Sequence, residues 1–235
     1  MTFDIILVSN AKGRGKLFTE NAIKSILLSK NQINFNIIVV EQIKGITYKN
    51  ATTINYDFKF NYNKCLNLGI SKTKNKYVVL CNNDLQFHPL WAENLYRGFK
   101  AGFISLSPYC KRTLGKKDIG NHILQGYQIA RHVAGWCIAI DRGIFKKIGK
   151  INDDVEFWYS DNIYADQLIK AKIKHGLICN SFVTHTNGGS NTLNVQPKEK
   201  NLDLTGNQLK KYNKEKRKVN YAKKKTIYSD DGGDL

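Results

Sequence analysis

The sequence predicts an α/β protein whose central sheet is mostly parallel and is flanked by helices. Over residues 3–81, short and almost wholly apolar runs alternate with segments whose apolar residues recur at helical spacing. The apolar runs are typical of strands that are buried on both faces of a parallel sheet. A chain of 235 residues is long enough for one domain with a sizeable core. The alternation therefore favours a sheet of the nucleotide-binding type.

Strand and helix alternate regularly in this first part of the chain. Thr19 is expected to cap the first helix, which carries apolar residues at helical spacing up to Leu27. A second helix is expected over residues 62–70, with Gly69 at its end. The predicted strands are residues 3–8, 37–40, 52–56 and 77–81.

The pattern becomes less regular after Pro89. Gly149 and Gly176 are expected to end helices, whereas residues 107–131 are polar, basic and glycine-containing and give no firm assignment. The predicted helices are residues 90–99, 144–148 and about 162–175; the predicted strands are residues 103–106, 133–142 and 177–183, before a loop over 184–190.

Positive charge is spread over the whole chain, with one dense region near its end. The chain carries 37 Lys and Arg against 19 Asp and Glu, a formal net charge of +18. Residues 198–225 hold eleven basic and three acidic residues, whereas the last ten residues carry a net charge of −3. We therefore expect a main domain over 1–195, a basic and partly helical extension over 196–228, and a flexible acidic tail over 229–235.

Such an excess of positive charge favours a polyanionic partner, which means nucleic acid, an anionic glycan or an anionic membrane surface. An AT-rich coding genome is the alternative origin of the many Lys, Asn and Ile residues. That bias would also supply Glu, however, and Glu is scarce in this chain. Both explanations stay open.

The cysteines and the apolar runs bear on the compartment. Five cysteines, widely spaced and without a Cys-x-x-Cys pair, indicate reduced and buried thiols in a cytosolic protein. No run approaches the roughly 20 apolar residues of a membrane span, and the N-terminus enters a strand pattern without a signal peptide. We expect a cytoplasmic protein, in the host cytoplasm if the protein is viral.

Three small polar residues end the strand at 77–81 abruptly. They are Asn82, Asn83 and Asp84. Ligands of open α/β sheets collect just beyond the carboxyl ends of strands. An Asp held there can offer hard oxygen ligands to Mg²⁺ or Mn²⁺ that carries a diphosphate. A turn that merely closes the strand is the alternative.

The glycine-bearing loop at 13–16 suggests a phosphate loop but fits neither standard pattern. A dinucleotide fingerprint requires a third glycine where Phe18 stands. A Walker motif requires glycine at Asn10 and a hydroxyl residue at Leu17. We interpret the segment as a basic, flexible loop near the site that is able to contact phosphate.

Four features follow one another in a recognisable order. They are the triplet ending at Asp84, a Gly-Trp-Cys strand around Trp136, an aromatic and acidic segment at 157–161, and a strand that delivers His185 before a Gly-Gly-Ser loop. In this order and spacing the chain resembles the GT-A fold glycosyltransferases, particularly the large inverting family typified by family 2 enzymes. The resemblance covers roughly residues 3 to 190. It implies a GT-A glycosyltransferase domain, a nucleotide-sugar donor with UDP as the expected nucleotide, and Mn²⁺ or Mg²⁺ as cofactor.

The resemblance also implies roles for individual residues. Asp84 would bind the metal on the donor diphosphate, and His185 would complete the shell, since neutral imidazole is a competent ligand for Mn²⁺. Asn82 stands where the family usually has its first Asp, which leaves one carboxylate rather than two. Asp161 matches the catalytic position, where a carboxylate takes the proton from the acceptor hydroxyl. Capping of the following helix is the alternative role for Asp161.

Other acidic residues are rivals for the role of base. Asp154 and Glu156 lie close before Asp161, and Asp166 lies five residues after it. Five residues turn an ideal helix by about 140°, so Asp166 is expected to face elsewhere.

The remaining implied contacts concern the donor and the sugars. Ser9 and Asn10 would border the base, and Glu41 stands where the family places an acid near the nucleoside. The expected donor-binding residues are Ser9, Asn10, Glu41, Asn61, Lys64, Asn83 and Asp84. Three aromatic side chains are expected to stack on sugar faces, with core packing as the alternative for at least one of them. They are Trp136, Trp158 and Tyr159.

The function expected from the sequence is therefore a metal-dependent, inverting glycosyltransferase. The preferred acceptor is a hydroxymethylated base in DNA, as in phage-type enzymes, on the grounds of charge and general resemblance only. A cell-surface glycan is the alternative acceptor. A nucleic-acid-binding module on an inactive GT-A scaffold is the alternative from another class, and Asn82 together with the basic extension would fit it.

Overall fold

The computed structural model describes residues 1–30, 32–111, 120, 122–186, 207 and 209–216. Its strands are β1 (Thr2–Ser9), β2 (Asn34–Glu41), β3 (Thr52–Asn55), β4 (Tyr77–Asn82), β5 (Leu85–Phe87), β6 (Ser105–Tyr109), β7 (Ile123–Gln125), β8 (Cys137–Asp141) and β9 (His175–His185). Its helices are α1 (Gly15–Leu28), α2 (Tyr62–Ser71), α3 (Trp91–Lys100), a 3-10 turn (Arg142–Ile144), α4 (Phe145–Ile148), α5 (Ser160–Lys170) and α6 (209–216).

The sheet is mixed, so the expectation of a mostly parallel sheet is wrong. Its strand order is β3-β2-β1-β4-β8-β6-β9-β5, with β7 also paired to β9. Strands β3, β2, β1 and β4 run parallel to one another, as the regular alternation predicts. Strand β8 then runs antiparallel between β4 and β6, and both β5 and β7 pair antiparallel with β9. Apolar periodicity identifies a buried strand but does not give the direction in which it runs.

Helices cover both faces of this sheet, which explains the unbroken apolar runs. In β1, Ile5 and Leu7 face one core together with α1 and α3, whereas Ile6 and Val8 face a second core together with α2 and α5. Gly69 lies inside α2, where a Cβ would come within 2.5 Å of Ile6 Cγ2. This glycine therefore permits close packing of α2 on the sheet and does not end the helix.

Several element boundaries differ from those predicted. Helix α1 begins at Gly15 rather than at Thr19, and α5 ends at Lys170, with Lys172 in the left-handed region at φ 55°. His175 and Gly176 consequently belong to β9 and not to a helix end. The short strands β5 and β7 were not predicted. The acidic tail at 229–235 lies outside the described residues, as does most of the predicted extension at 196–228 and of the loop at 184–190.

Two expectations about the chain as a whole can be compared with the structure. All five cysteine side chains are buried free thiols. Within the ranges that the structure describes, no helix combines the length and the apolar character needed to cross a membrane.

Candidate functional site

Asp84 and His185 are brought together by the short strand β5. Asp84 directly precedes β5, which pairs antiparallel with the end of β9, so that Leu85 lies opposite His185. Thr186 adds a second tie, because its backbone N–H and its hydroxyl donate to the Asp84 carbonyl oxygen at 2.9 and 2.7 Å. Two segments that are distant in the sequence are thereby held side by side.

The side chains of this pair are close, yet they do not form a hydrogen bond. His185 Nε2 lies 3.0 Å from Asp84 Oδ1. The geometry is not that of a hydrogen bond, and neither ring nitrogen of His185 has a hydrogen-bond partner among the residues described. Both side chains are nearly buried, with 6% of the His185 surface and 11% of the Asp84 surface exposed. A buried imidazole nitrogen and a carboxylate oxygen thus lie next to each other without satisfying each other.

Trp136 covers one side of the pair. Its ring stacks on the His185 imidazole, with the centroids 5.7 Å apart and 28° between the planes. Its carbonyl oxygen accepts a hydrogen bond of 2.9 Å from the Asn82 backbone N–H, which ties the turn at Gly135 and Trp136 to the end of β4. This turn occupies the first part of the predicted strand 133–142, so β8 begins only at Cys137.

Asp161 contacts the same turn from the other side. It lies in the first turn of α5, whose N-cap position is occupied by Tyr159, so the alternative that Asp161 is the cap is wrong. Asp161 Oδ1 accepts a hydrogen bond of 2.9 Å from the Asn162 backbone N–H. A Cβ at Gly135 would come within 2.6 Å of Asp161 Oδ2. Only a glycine at this position leaves the carboxylate where it is.

The sheet anchors α5 and therefore this carboxylate. Tyr164 of α5 shares a buried hydrogen bond of 2.7 Å with the Ser105 hydroxyl, which also lies 2.8 Å from His175 Nδ1. Burial lowers the pKa of His175 to about 4, so this imidazole is neutral at physiological pH. Burial raises the pKa of the Asp161 carboxyl above its ordinary value, against the opposing effect of backbone N–H donors that include that of Asn162.

The Tyr62 side chain interacts electrostatically with both Asp161 and Asp84. Burial raises the pKa of this phenol well above its ordinary value, and the charges of both Asp161 and Asp84 add to the shift. Its hydroxyl is buried and has no hydrogen-bond partner in the described part of the chain. Tyr62 and Asp161 also line a cavity of about 10 Å³, which has room for about one water molecule. Tyr62 therefore contacts the same cavity as Asp161 and lies within electrostatic reach of Asp84.

The rival acidic residues are engaged elsewhere. Asp154 is exposed and accepts a hydrogen bond from Asn152 Nδ2 at 3.0 Å. Glu156 has a lowered pKa, chiefly because of its hydrogen bond with Lys59. Burial raises the pKa of the Tyr212 hydroxyl of α6, and interaction with Asp166 and the charge of Asp161 add to the shift, so Asp166 is engaged by this phenol.

Three of the predicted donor contacts belong to a buried polar network. Thr19 Oγ1 lies 2.6 Å from Ser9 Oγ and accepts a hydrogen bond of 3.0 Å from Asn83 Nδ2. The Tyr48 hydroxyl lies 3.1 Å from Ser9 Oγ and donates to Glu41 Oε2 at 2.6 Å. This network joins the ends of β1, β2 and β4 to α1. Ser9 and Glu41 are buried, so they support the loops above them from within.

The other predicted donor contacts lie nearer the surface. Asn10 is exposed at the end of β1. Asn61 caps α2 by accepting a hydrogen bond of 2.9 Å from the Lys64 backbone N–H, and its own amide donates to the Asp153 carbonyl oxygen at 2.7 Å. Lys64 is exposed and holds its ammonium 4.3 Å from the centre of the Phe58 ring. Asn10 and Lys64 are therefore accessible from solvent, whereas both polar groups of the Asn61 side chain are already hydrogen-bonded at the start of α2.

The aromatic residues of the segment before α5 pack on neighbouring rings. Trp158 lies edge-to-face with Phe157, at 5.3 Å between centroids and 73° between planes. Tyr159 stacks on Tyr212 at 5.3 Å and 5°. One face of the Tyr159 ring is therefore covered by α6.

A groove of about 520 Å³ adjoins Asp84. It is lined by residues of α1 and β5, together with Asp84, Pro89 and Thr186. Lys24 supplies a cation and Phe18 an apolar surface. The volume lies in the range of ligand-binding clefts.

The residues that contact the predicted site residues were not predicted from the sequence. Tyr48 and Tyr62 carry no local signal, since a tyrosine in a loop or at a helix start is common. Gly135 carried a usable one, because a glycine within an apolar strand pattern indicates a bend or a close approach. Among the residues described, no group of three or more His, Cys, Asp or Glu side chains forms a metal site. A metal ion held by Asp84 and His185 would need further ligands, such as substrate oxygens or water.

Comparisons with known proteins bear on the fold. No protein family model matches the chain, and no curated protein matches it. Among solved structures, the chain is similar to residues 1–349 of S. aureus TarS, a glycosyltransferase, with a TM-score of 0.60 and 10% sequence identity. The superposition covers 79% of this chain and 60% of the TarS structure. At this identity the likeness concerns the fold alone: the chain has an α/β fold, with a mixed sheet flanked by helices, that is similar to the fold of a glycosyltransferase.

Proposed function

We propose that this chain is a metal-dependent glycosyltransferase that moves a sugar from a nucleotide-sugar, with UDP as the expected nucleotide, to an acceptor hydroxyl. The observation that carries the proposal is the grouping of Asp84, His185 and Asp161 around the turn at Gly135 and Trp136. The fold likeness to a glycosyltransferase supports it.

Asp84 and His185 fit the binding of one divalent ion. Two ligands about 2.1 Å from an ion and at right angles to each other lie about 3.0 Å apart, which matches the distance between His185 Nε2 and Asp84 Oδ1. Leaving a buried nitrogen without a partner costs roughly 1–3 kcal/mol, so coordination would also satisfy the His185 ring. A bound Mn²⁺ or Mg²⁺ would neutralise the charge that grows on the departing diphosphate.

Asp161 would act as the base. As the acceptor oxygen bonds to the anomeric carbon, the bond from that carbon to the diphosphate oxygen breaks, and the hydroxyl proton passes to the Asp161 carboxylate. Burial raises the pKa of Asp161, which increases its affinity for that proton. Attack in line with the departing group would invert the anomeric configuration.

The donor nucleotide would lie over the ends of β1, β2 and β3. Asn10 and Lys64 are exposed there and would contact it directly. Ser9, Glu41 and Asn83 would act by holding the surrounding loops through their network with Thr19 and Tyr48, a set of five residues. Trp136 would offer the sugar the ring face opposite His185.

The acceptor that we favour is a hydroxymethylated base in DNA, as the net charge of +18 suggests. Such a hydroxyl would be reached in the major groove or by flipping the base out of the stack. Binding to a hydroxymethylated duplex should then weaken steeply with added salt, because phosphate contacts release counterions. Weak binding that salt does not change would favour the alternative acceptor, a cell-surface glycan.

The test of the proposed activity is a product assay by mass. The purified protein is incubated with Mn²⁺, a panel of nucleotide-sugars and candidate acceptors, hydroxymethylated DNA included. We expect metal-dependent transfer or donor hydrolysis, lost in Asp161→Asn and kept in Asp154→Asn, since Asp154 is exposed. Full activity of Asp161→Asn would refute the assignment of the base.

A second candidate is a non-catalytic nucleic-acid-binding module on this scaffold. Asn82 in place of a carboxylate and the basic residues of the chain favour it. Isothermal titration with nucleotide-sugars and Mn²⁺ separates the two candidates, because a module of this kind would have no metal-dependent affinity for the donor.

A further inference from the structure

Helix α6 packs on the segment that leads into the proposed catalytic residue. Tyr212 of α6 is only 8% exposed and lies in an apolar cluster with Val155 and Ile163, against which Tyr159 packs. Its ring is nearly parallel to that of Tyr159, at 5° and with the centroids 5.3 Å apart. A residue far along the chain thus covers the start of α5.

The backbone at Tyr159 is unusual. Its φ of 67° lies in the left-handed region, which costs an L-residue other than glycine roughly 1–2 kcal/mol. Tyr159 is the N-cap residue of α5, and Asp161 follows two positions later in the first turn. The conformation at Tyr159 therefore sets the direction in which α5 begins and the place of the Asp161 carboxylate.

Polar contacts reinforce this packing on both sides of Asp161. Lys211 Nζ lies 3.3 Å from Glu156 Oε1, and the Glu156 carbonyl oxygen accepts a hydrogen bond of 2.6 Å from the Tyr62 backbone N–H. The Tyr212 hydroxyl interacts with Asp166, nearly two helical turns beyond the start of α5. Helix α6 thus holds the segment before Asp161 and the helix after it.

We propose that α6 is a positioning element of the site, in which the Tyr212 ring holds Tyr159 in its left-handed conformation and so fixes Asp161 for proton transfer. The proposal rests on the function proposed above. Only the face of α6 that carries Tyr212 would have this positioning role. Lys210 and Lys214 are each two residues from Tyr212, about 200° around the helix, and are exposed.

The proposal is tested with three variants in the full chain. Tyr212→Ala removes the stack, Tyr212→Phe keeps the ring and loses only the hydroxyl, and Lys214→Ala changes the opposite face. The readouts are kcat and KM for metal-dependent donor hydrolysis, together with hydrogen exchange of residues 155–163 by mass spectrometry.

We expect Tyr212→Ala to lower kcat by about tenfold or more, since small misplacements of reacting groups cost up to about 100-fold, with donor KM within about twofold. Hydrogen exchange should accelerate in 155–163 but not in β1 or β4. Lys214→Ala should behave as wild type, and Tyr212→Phe, which keeps the stacked ring and loses only the hydroxyl contact with Asp166, should stay much closer to wild type than Tyr212→Ala does. Should Tyr212→Ala not fold, Tyr212→Leu fills the same cluster without a ring to stack and replaces it in the comparison.

The outcomes separate this proposal from the function itself. If Tyr212→Ala folds and matches Lys214→Ala in both kcat and exchange, the positioning role is refuted while the activity stands. If wild type shows no transfer or hydrolysis with any donor, the proposed function fails. Exchange at 155–163 then still decides whether Tyr212 holds the segment.

Discussion

Asp161 shows at the scale of one residue how activity and stability oppose each other. Its carboxylate is pressed against Gly135, and burial raises its pKa. The folded protein therefore holds the proton more tightly than the unfolded chain does, where Asp titrates near 3.9. As the pH rises from about 4 through the raised pKa, ionisation of Asp161 removes stability. At neutral pH, the ionised Asp161 side chain therefore lowers the unfolding free energy relative to its protonated form.

We predict that Asp161→Asn is inactive and yet more stable than wild type at pH 7. The amide keeps an oxygen for the Asn162 N–H and carries no charge to desolvate. The melting temperature should rise by on the order of a few degrees, with a difference that is near zero at about pH 4 and grows towards neutrality. Melting curves at several pH values check this. An Asn variant that is less stable at every pH would contradict it.

Glu41 has the opposite character, because its buried carboxylate is fully engaged. Its Oε1 accepts hydrogen bonds from the backbone N–H groups of Ala11 and Ile43, at 2.9 and 2.8 Å. Its Oε2 accepts from the Tyr48 hydroxyl at 2.6 Å. Burial and this hydrogen bond raise the pKa of Tyr48 to about 12. Glu41 therefore holds two loops in place.

We predict that Glu41→Ala costs about 2–4 kcal/mol of unfolding free energy, since it removes the acceptor of three hydrogen bonds at once, one buried and two partly buried. It should also weaken donor binding, because the loops that it holds border the proposed nucleotide site. Denaturant unfolding measures the first effect and titration the second. The control is Glu20→Ala, where an exposed carboxylate only pairs with Lys16 and little should change. Equal stability of the two variants would count against a bracing role for Glu41.

The sequence was enough to propose site residues, but it did not reveal most of the residues that make hydrogen bonds with them. Asp84, His185 and Asp161 were identified from residue type and motif order. Thr19 and Tyr48 make hydrogen bonds across the fold, which no spacing in the sequence encodes.

At the scale of elements, glycine positions show where the backbone comes close. A Cβ at Gly15 would lie 1.7 Å from the Asn10 carbonyl oxygen, so the start of α1 packs directly on the end of β1. Gly13 in the same loop has open space around it and a φ of 60°. The loop that fits no phosphate-binding pattern is thus a tight connection between strand and helix.

We predict that Gly15→Ala damages the fold more than Gly13→Ala does. The first substitution forces the backbone to move, whereas the second only places an alanine in the left-handed region, at roughly 1–2 kcal/mol. Unfolding midpoints in urea of the two variants provide the comparison. A Gly15→Ala variant as stable as Gly13→Ala would mean that the loop adapts freely.

The length and burial of each strand or helix decided whether it could be predicted from the sequence. The long apolar runs of β1, β2 and β4 were found because both faces are buried. Strand β5 has only three residues, too few for a periodicity, yet it brings Asp84 beside His185. The boundary between α5 and β9 depends on Lys172, which has a left-handed backbone conformation. Lysine is not a residue type that indicates the end of a helix, so this boundary could not be predicted.

At the scale of the whole molecule, the proposed site joins elements from across the sheet. Asp84 follows β4, His185 ends β9, and Asp161 opens α5. A ligand that contacts both the pair Asp84 and His185 and the ends of β1 and β2 would therefore connect parts of the sheet that are far apart in the sequence. Binding of such a ligand should stabilise the entire domain.

We predict that Mn²⁺ and UDP together raise the melting temperature more than either does alone. At about 100 times the dissociation constant, a ligand that binds only the folded state adds about 2.7 kcal/mol, or on the order of 5–10 °C for a chain of this size. His185→Ala should abolish the joint effect while leaving any shift with UDP alone, because the imidazole is proposed to bind the ion and not the nucleotide. His88→Ala is the matched control, since His88 bonds Thr184 on the same strand pair at 2.8 Å and has no proposed role with metal. A joint shift that survives in His185→Ala would move the ion away from this pair.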